Sequence, residues 1–303
     1  MSEGSAPGEP SEHHRPTLAA PAMGGERLWT PWRMRYVAGA DREEGCIFCN
    51  RLAERDDVQS LILHRGDRAF VIMNLFPYNT GHVMIVPNAH VASPEDTDPE
   101  TMSEMAVLRG TVLRALRRAL SPDGFNLGLN VGAPAGAGIA DHLHEHVVPR
   151  WQGDANFMPI LASTMVMPEL IPITYAKLRA ELDREFGRGN RATSLALSVD
   201  REHALTDADG VLPQVTAGDD EPIWRAALRG TRERGAIDPE LLGWAGERHA
   251  GLGRPAFLLR ASFPEGNAVA SGIQLVPLDE LLAQPDADTI REAFQRWDAA
   301  DDR

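Results

Sequence analysis

The stretch Asp141-His142-Leu143-His144-Glu145-His146 puts a histidine at every second position. Alternate residues of an extended chain share one face, so the spacing predicts a strand carrying three imidazoles side by side. An apolar core would leave the ring nitrogens without partners, so the strand is expected to border a reactive or metal-binding site. Leu143, Glu145 and Val147 take the other face, where Glu145 requires solvent or a salt-bridge partner. Just upstream, Gly132, Gly136 and Gly138 form a loop whose backbone N–H groups can approach phosphate oxygens. Such donors suit an imidazole nucleophile, because they can hold the negative charge that develops on phosphorus.

Around this strand the chain reads as α+β. RAFVIMNLF from Arg68, the turn PYNTG and GHVMIVP predict an antiparallel hairpin. Apolar residues at Met105, Leu108, Val112, Leu113, Leu116 and Leu120 predict a helix with one buried face over 101–120. FNLGLNVG supplies another strand, and residues 168–186 read as a helix after Pro172. GRGN at 187–190 is the expected hinge between two compact units, as 303 residues would suggest. Residues 1–25 read as a disordered tail, 26–188 as the unit carrying the histidines, and 189–303 as a second α+β unit. Order is expected to begin near Leu28, just before an aromatic segment at 29–36. In the second unit SLALSV, PAFLLRASF and GIQLVP read as strands, and IWRAALRGTRERG from Ile223 as a helix. Trp244 and Phe257 are expected in its core. His64 is expected to be a surface or helix-flanking residue, and His203 and His249 ordinary structural or surface residues.

HLHEHVV at 142–148 resembles the defining pattern of the histidine triad superfamily, except for its acidic second spacer. CIFC at 46–49, NLFPYNTGHVMIVPNAH at 74–90, LNVGAPAGAGIADHLHEHVVPRW at 129–151 and GDANFMP at 153–159 extend the similarity over roughly 26–188, most of all toward bacterial diadenosine tetraphosphate phosphorylase-like proteins. The resemblance implies an antiparallel sheet with packed helices and a nucleotide hydrolase or nucleotidyl transferase acting on dinucleoside polyphosphates. In that scheme His144 attacks the α-phosphorus to form a nucleotidyl-histidine, and His146 holds and polarises the attacking ring. His82 lies beside the phosphate pocket and Asn74 near the ribose, while Asn130, Gly136, Ala137, Gly138 and Trp151 border the reacting phosphate. Ala137-Gly138 stands where the better-defined phosphorylases have Gly-Ser, which removes a hydroxyl donor and weakens the case for inorganic phosphate as acceptor. A phosphate-dependent phosphorylase is the enzymatic alternative. A nucleotide-binding or interaction protein working through its C-terminal unit is the non-enzymatic one.

The spacing of Cys46 and Cys49 lets both sulfurs reach one tetrahedral ion, with free cysteines in an apolar pocket as the alternative. The resemblance points to His90 and His142 as the remaining ligands of a structural zinc, and to a homodimer. In the second unit, LPQVTAGDDEPIWRAALRGTRERGAI at 212–237 faintly resembles a Nudix box with a broken acidic cluster. Gly230 and Arg234 occupy carboxylate positions and Glu233 survives. A formal net charge of -14 argues against general nucleic-acid binding. No apolar run approaches the roughly 20 residues of a membrane span. Two cysteines make no disulfide framework, and no signal-like segment stands out, so the cytoplasm is the expected compartment.

Overall fold

The computed structural model describes residues 44–154, 169–246, 256–264, 269–283 and 291. The expected tail, the aromatic segment at 29–36, His249 and most of GDANFMP lie outside them. The first sheet is antiparallel throughout, in the order β1 (Ile62–Arg65), β2 (Ala69–Met73), β3 (Val83–Pro87), β5 (Glu145–Arg150), β4 (Gly124–Leu129). The expected hairpin is β2–β3, with Val71 opposite Ile85.

Alternation assigns the two faces of this sheet. Leu63, Val71, Met73, Val83, Ile85 and Val147 point to one side. There they meet Met105, Leu108, Val112 and Leu116 of helix α2 (Pro99–Leu120), which follows the short helix α1 (Ile47–Ala53) in the chain. Leu113 and Leu120 are only half-buried at the margin of that contact. Helix α2 starts where the Asp98 side chain accepts from the Thr101 N–H, with Pro99 at its first turn, and stops at Ser121 in the left-handed region. On the opposite face Ile62, Phe70, Ile72, Met84 and Val86 pack against Phe48 of α1.

The second sheet is mixed: β11 (Ile273–Pro277), β7 (His203–Asp207), β6 (Arg191–Ser198), β10 (Ala256–Ser262) and β9 (Ile237–Trp244), with β8 (Gln214–Thr216) also pairing β6. Among the described strands, only β6 and β10 run parallel. Helix α4 (Ile223–Glu233) packs on this sheet, and the short helix α5 (Leu278–Leu282) follows β11. Trp244 and Phe257 meet edge to face in the core, their ring centroids 5.5 Å apart.

Helix α3 (Ile171–Glu185) lies between the sheets and is buried nearly all round. Towards the first sheet, Tyr175 Oη donates to the Ile62 carbonyl at 2.9 Å and Arg179 donates to the Leu63 carbonyl at 3.0 Å, so the helix caps part of the β1 edge. Towards the second, the Glu181 carboxylate accepts from the Ile223 N–H at 2.6 Å, at the start of α4. Burial raises the pKa of Glu181, against the opposing pull of that hydrogen bond and of Arg184 and Arg118. One hydrophobic cluster therefore runs from β1–β3 through α2 and α3 to β7, β9 and β10.

Two expectations need correction. The regular strand begins at Glu145, so His142 and His144 occupy the lead-in to β5 and only His146 is in the ladder. His64 is neither on the surface nor beside a helix end: it sits within β1, 8% exposed, stacked on Phe186 with centroids 3.8 Å apart.

Candidate active site

Helix α1 begins with Cys46 at its N-cap and carries Cys49 in its first turn. Their sulfurs meet two imidazoles. Cys46 Sγ is 3.2 Å from His142 Nδ1, and Cys49 Sγ is 3.4 Å from His90 Nδ1 and 3.6 Å from His142 Nδ1. All four donor atoms lie within 4.8 Å of one another. A tetrahedral zinc with sulfur and nitrogen ligands separates such atoms by about 3.5 Å, so the set fits that ion. His142 Nε2 donates to the Pro87 carbonyl at 2.9 Å, which leaves the lone pair on Nδ1, facing the sulfurs. Burial, then the neighbouring Cys46, pushes the Cys49 thiol up; a bound cation would favour the thiolate instead.

The same donor logic assigns protons to the other imidazoles. His144 Nδ1 is 2.8 Å from the carbonyl of His142. A carbonyl can only accept, so the His144 proton is on Nδ1 and its Nε2 carries the lone pair. His82, fully buried, accepts the Tyr78 N–H on Nδ1 at 3.0 Å. Its Nε2 therefore donates, and the recipient is His146 Nδ1 at 3.0 Å. His146 in turn keeps its proton on Nε2. The His144 and His146 rings stand edge to face, 4.9 Å between centroids.

Burial keeps these rings neutral. It lowers His82 to about 3, helped by the charges of His146 and His144, and lowers His146 to about 4, helped by His144. His144 and His142 are also lowered, chiefly by burial and against their carbonyl hydrogen bonds. The arrangement thus offers one imidazole lone pair beside a donor-bearing imidazole, which suits nucleophilic attack with charge stabilisation.

Asn74 approaches His82, with Nδ2 at 3.3 Å from Nδ1, while its Oδ1 accepts the Phe76 N–H at 2.9 Å. Asn130 follows β4, and Trp151 follows β5, its N–H donated to Asp154 at 3.0 Å. Gly136 closes a short 3-10 turn at φ 89°, a backbone conformation that glycine adopts without strain, and Ala137 and Gly138 continue toward the triad.

Three participants were not singled out from the sequence. Phe48, between the two cysteines, packs on His142 and His144 with centroids 5.4 and 5.1 Å away. Tyr78, in the hairpin turn, lies 4.7 Å from His82 and 5.7 Å from His146. Arg109 of α2 meets Glu145 with two hydrogen bonds, 2.6 and 3.0 Å, and thereby supplies the partner that the acidic spacer requires. Phe48 in CIFC and Tyr78 in the PYNTG turn lie within stretches that the sequence did mark, whereas Arg109 depends on long-range packing.

The family model described as HIT domain matches residues 55–153, which include the whole triad. A Mycobacterium tuberculosis (strain CDC 1551 / Oshkosh) protein named AP-4-A phosphorylase is 38% identical over 167 residues, covering 53% of this chain and 86% of that protein. The chain belongs to the histidine triad (HIT) family. A second HIT relative, the 16.1 kDa HIT-like protein of Mycoplasma pneumoniae, is 31% identical over 112 residues, or 37% of this chain and 76% of that one. Among solved structures, a Zn-bound histidine triad family protein from Mycobacterium smegmatis aligns with 28% identity over 47% of this chain and 96% of that chain, at a TM-score of 0.39. The HIT domain match thus falls on the half of the chain that carries the triad.

Proposed function

We propose that this histidine triad protein is an enzyme that cleaves dinucleoside polyphosphates through a nucleotidyl-histidine at His144. The observation that carries this reading is the His144 ring itself: its Nδ1 proton is committed to the His142 carbonyl, and burial keeps it neutral with the lone pair on Nε2. In the first step Nε2 forms a bond to the α-phosphorus as the bond to the leaving nucleotide oxygen breaks. His146, oriented by His82, presents its Nε2 proton to the charge that develops. In the second step water or inorganic phosphate attacks the same phosphorus and the P–N bond breaks. Asn74, Asn130, the backbone at Gly136, Ala137 and Gly138, and Trp151 border the nucleotide and its phosphates in this scheme.

The acceptor distinguishes two readings. The M. tuberculosis relative is named for phosphorolysis, which favours phosphate. Gly138 lacks the hydroxyl that would help hold a phosphate acceptor, which favours water. With diadenosine tetraphosphate, AMP plus ATP marks hydrolysis, and ADP plus ATP in the presence of phosphate marks phosphorolysis. His144→Ala is expected to abolish turnover while nucleotide binding persists; a variant that turned over at the wild-type rate would remove the nucleophile assignment.

Cys46, Cys49, His90 and His142 are proposed to hold a structural zinc, all four positions being protein-filled. A homodimer is proposed through the open edge of β4, where Leu127 is exposed, with Val131 exposed just beyond it. Residues 26–188 are taken as the catalytic unit of a cytoplasmic enzyme. Residues 189–303 are taken as an α+β appendage with a Nudix-like segment, where Arg229 of α4 engages both Glu233 on the same helix and Glu221 just before it. That pairing supports a role other than divalent-metal catalysis.

A further inference from the structure

We infer that Arg109 is a positioning residue for the reaction, its guanidinium clamping Glu145 and so holding the end of β5 from which His144 projects. The inference rests on His144 as the reacting ring. Glu145 lies between His144 and His146 in the chain, but its side chain points through the sheet to the face covered by α2. There it is 7% exposed, and Arg109 grips both carboxylate oxygens, Nε to Oε1 at 2.6 Å and Nη2 to Oε2 at 3.0 Å. A two-point fork fixes distance and direction together, as a single ammonium or an apolar contact does not.

The position of this clamp in the ladder matters. Glu145 is the first laddered residue of β5, opposite Ile85 on β3 and Leu129 on β4. His144 lies one residue upstream, outside the ladder. Other restraints there are the Leu143 N–H to the Val91 carbonyl at 2.6 Å, the His144–His142 hydrogen bond and the packing of Phe48. An error at Glu145 therefore moves His144 and His146 relative to one another and to a phosphate held by separate segments. Misplacement of about 1 Å can cost about 100-fold in rate.

The test uses full-length protein and diadenosine tetraphosphate, with circular dichroism to confirm that each variant is folded. Arg109→Ala is expected to lower kcat about ten- to hundred-fold with KM changed less than about threefold, because the reacting rings move while the nucleotide contacts remain. Arg109→Lys, which keeps the charge without the fork, is expected to recover part of the loss. The double variant Arg109→Leu, Glu145→Val, which removes the unpaired buried charge without restoring the fork, is expected to stay within about threefold of Arg109→Ala, and its recovery to the wild-type kcat would overturn the inference. Folded Arg109→Ala with a kcat within about twofold of wild type would overturn the inference. Should that variant not fold, Arg109→Lys with full wild-type kcat would do the same. His144→Ala run alongside separates the two levels: its inactivity beside a fully active Arg109→Ala removes the clamp alone, whereas its retained turnover removes the nucleophile and the clamp with it.

Discussion

His64 illustrates how a single side chain ties pH to stability. Burial, then the charges of Arg188 and Arg179, lower its pKa to about 4, with Asp57 opposing. An unfolded histidine takes up its proton near pH 6.5. Between those values the unfolded chain binds more protons at this position than the native one, so stability falls as pH drops from about 6.5 to about 4 and levels off below. His64→Leu keeps an apolar side chain against Phe186 and removes the titration. The wild type is therefore expected to lose stability relative to this variant by up to about 1.4 kcal/mol per pH unit across that window, read from urea melts at a series of pH values. Parallel melting curves at every pH would contradict the assignment. The sequence around His64 has no motif, and the residue reads as a surface or helix-flanking one, not as a buried residue of a strand. The stacking partner Phe186 is far away in the chain, which is why local reading failed there. The triad histidines are the opposite case, because their period of two declares a shared face whatever packs against it.

At the level of elements, α1 is a seven-residue helix with one fully buried side chain, Phe48, and no side-chain cap. So short a helix has little stability of its own. A zinc held by Cys46, Cys49, His90 and His142 would tie it to the lead-in of β5. Cys46→Ser is thus expected to lower bound zinc, measured by elemental analysis, and to speed hydrogen exchange across 47–53 while the β2–β3 hairpin stays protected. Unchanged metal content would reject the ligand set. The elements differed in how plainly the sequence announced them. The β2–β3 hairpin has two apolar runs joined by a clear turn, α2 has a helical period and clear end signals, and both formed as expected. Strand β9 contains Pro239, Gly243 and Asp238 at φ 47°, none of which favours a strand. It forms because it is an edge strand paired to β10, where a missing N–H is tolerated and bulges absorb the irregularity.

Over the whole molecule, α3 joins the two sheets into one apolar cluster. Leu178 of α3 is 1% exposed within it. Leu178→Ala is expected to destabilise the protein by about 2–5 kcal/mol. Because the cluster is shared, probes in both sheets should report the same shifted midpoint, with amide exchange of β2 and of β10 as the two readouts. A shift confined to one sheet would show that the units unfold separately. The alternation of histidines, the cysteine pair, the hairpin and the amphipathic helix were legible in the amino acids because each is a local pattern, written within a few residues by strand or helix geometry. The partner of Glu145, the burial of His64, the tautomer of each imidazole and the seat of α3 between two sheets depend on groups brought together from distant parts of the chain. Only closure of the tertiary structure removes water from those groups and leaves each donor a single acceptor.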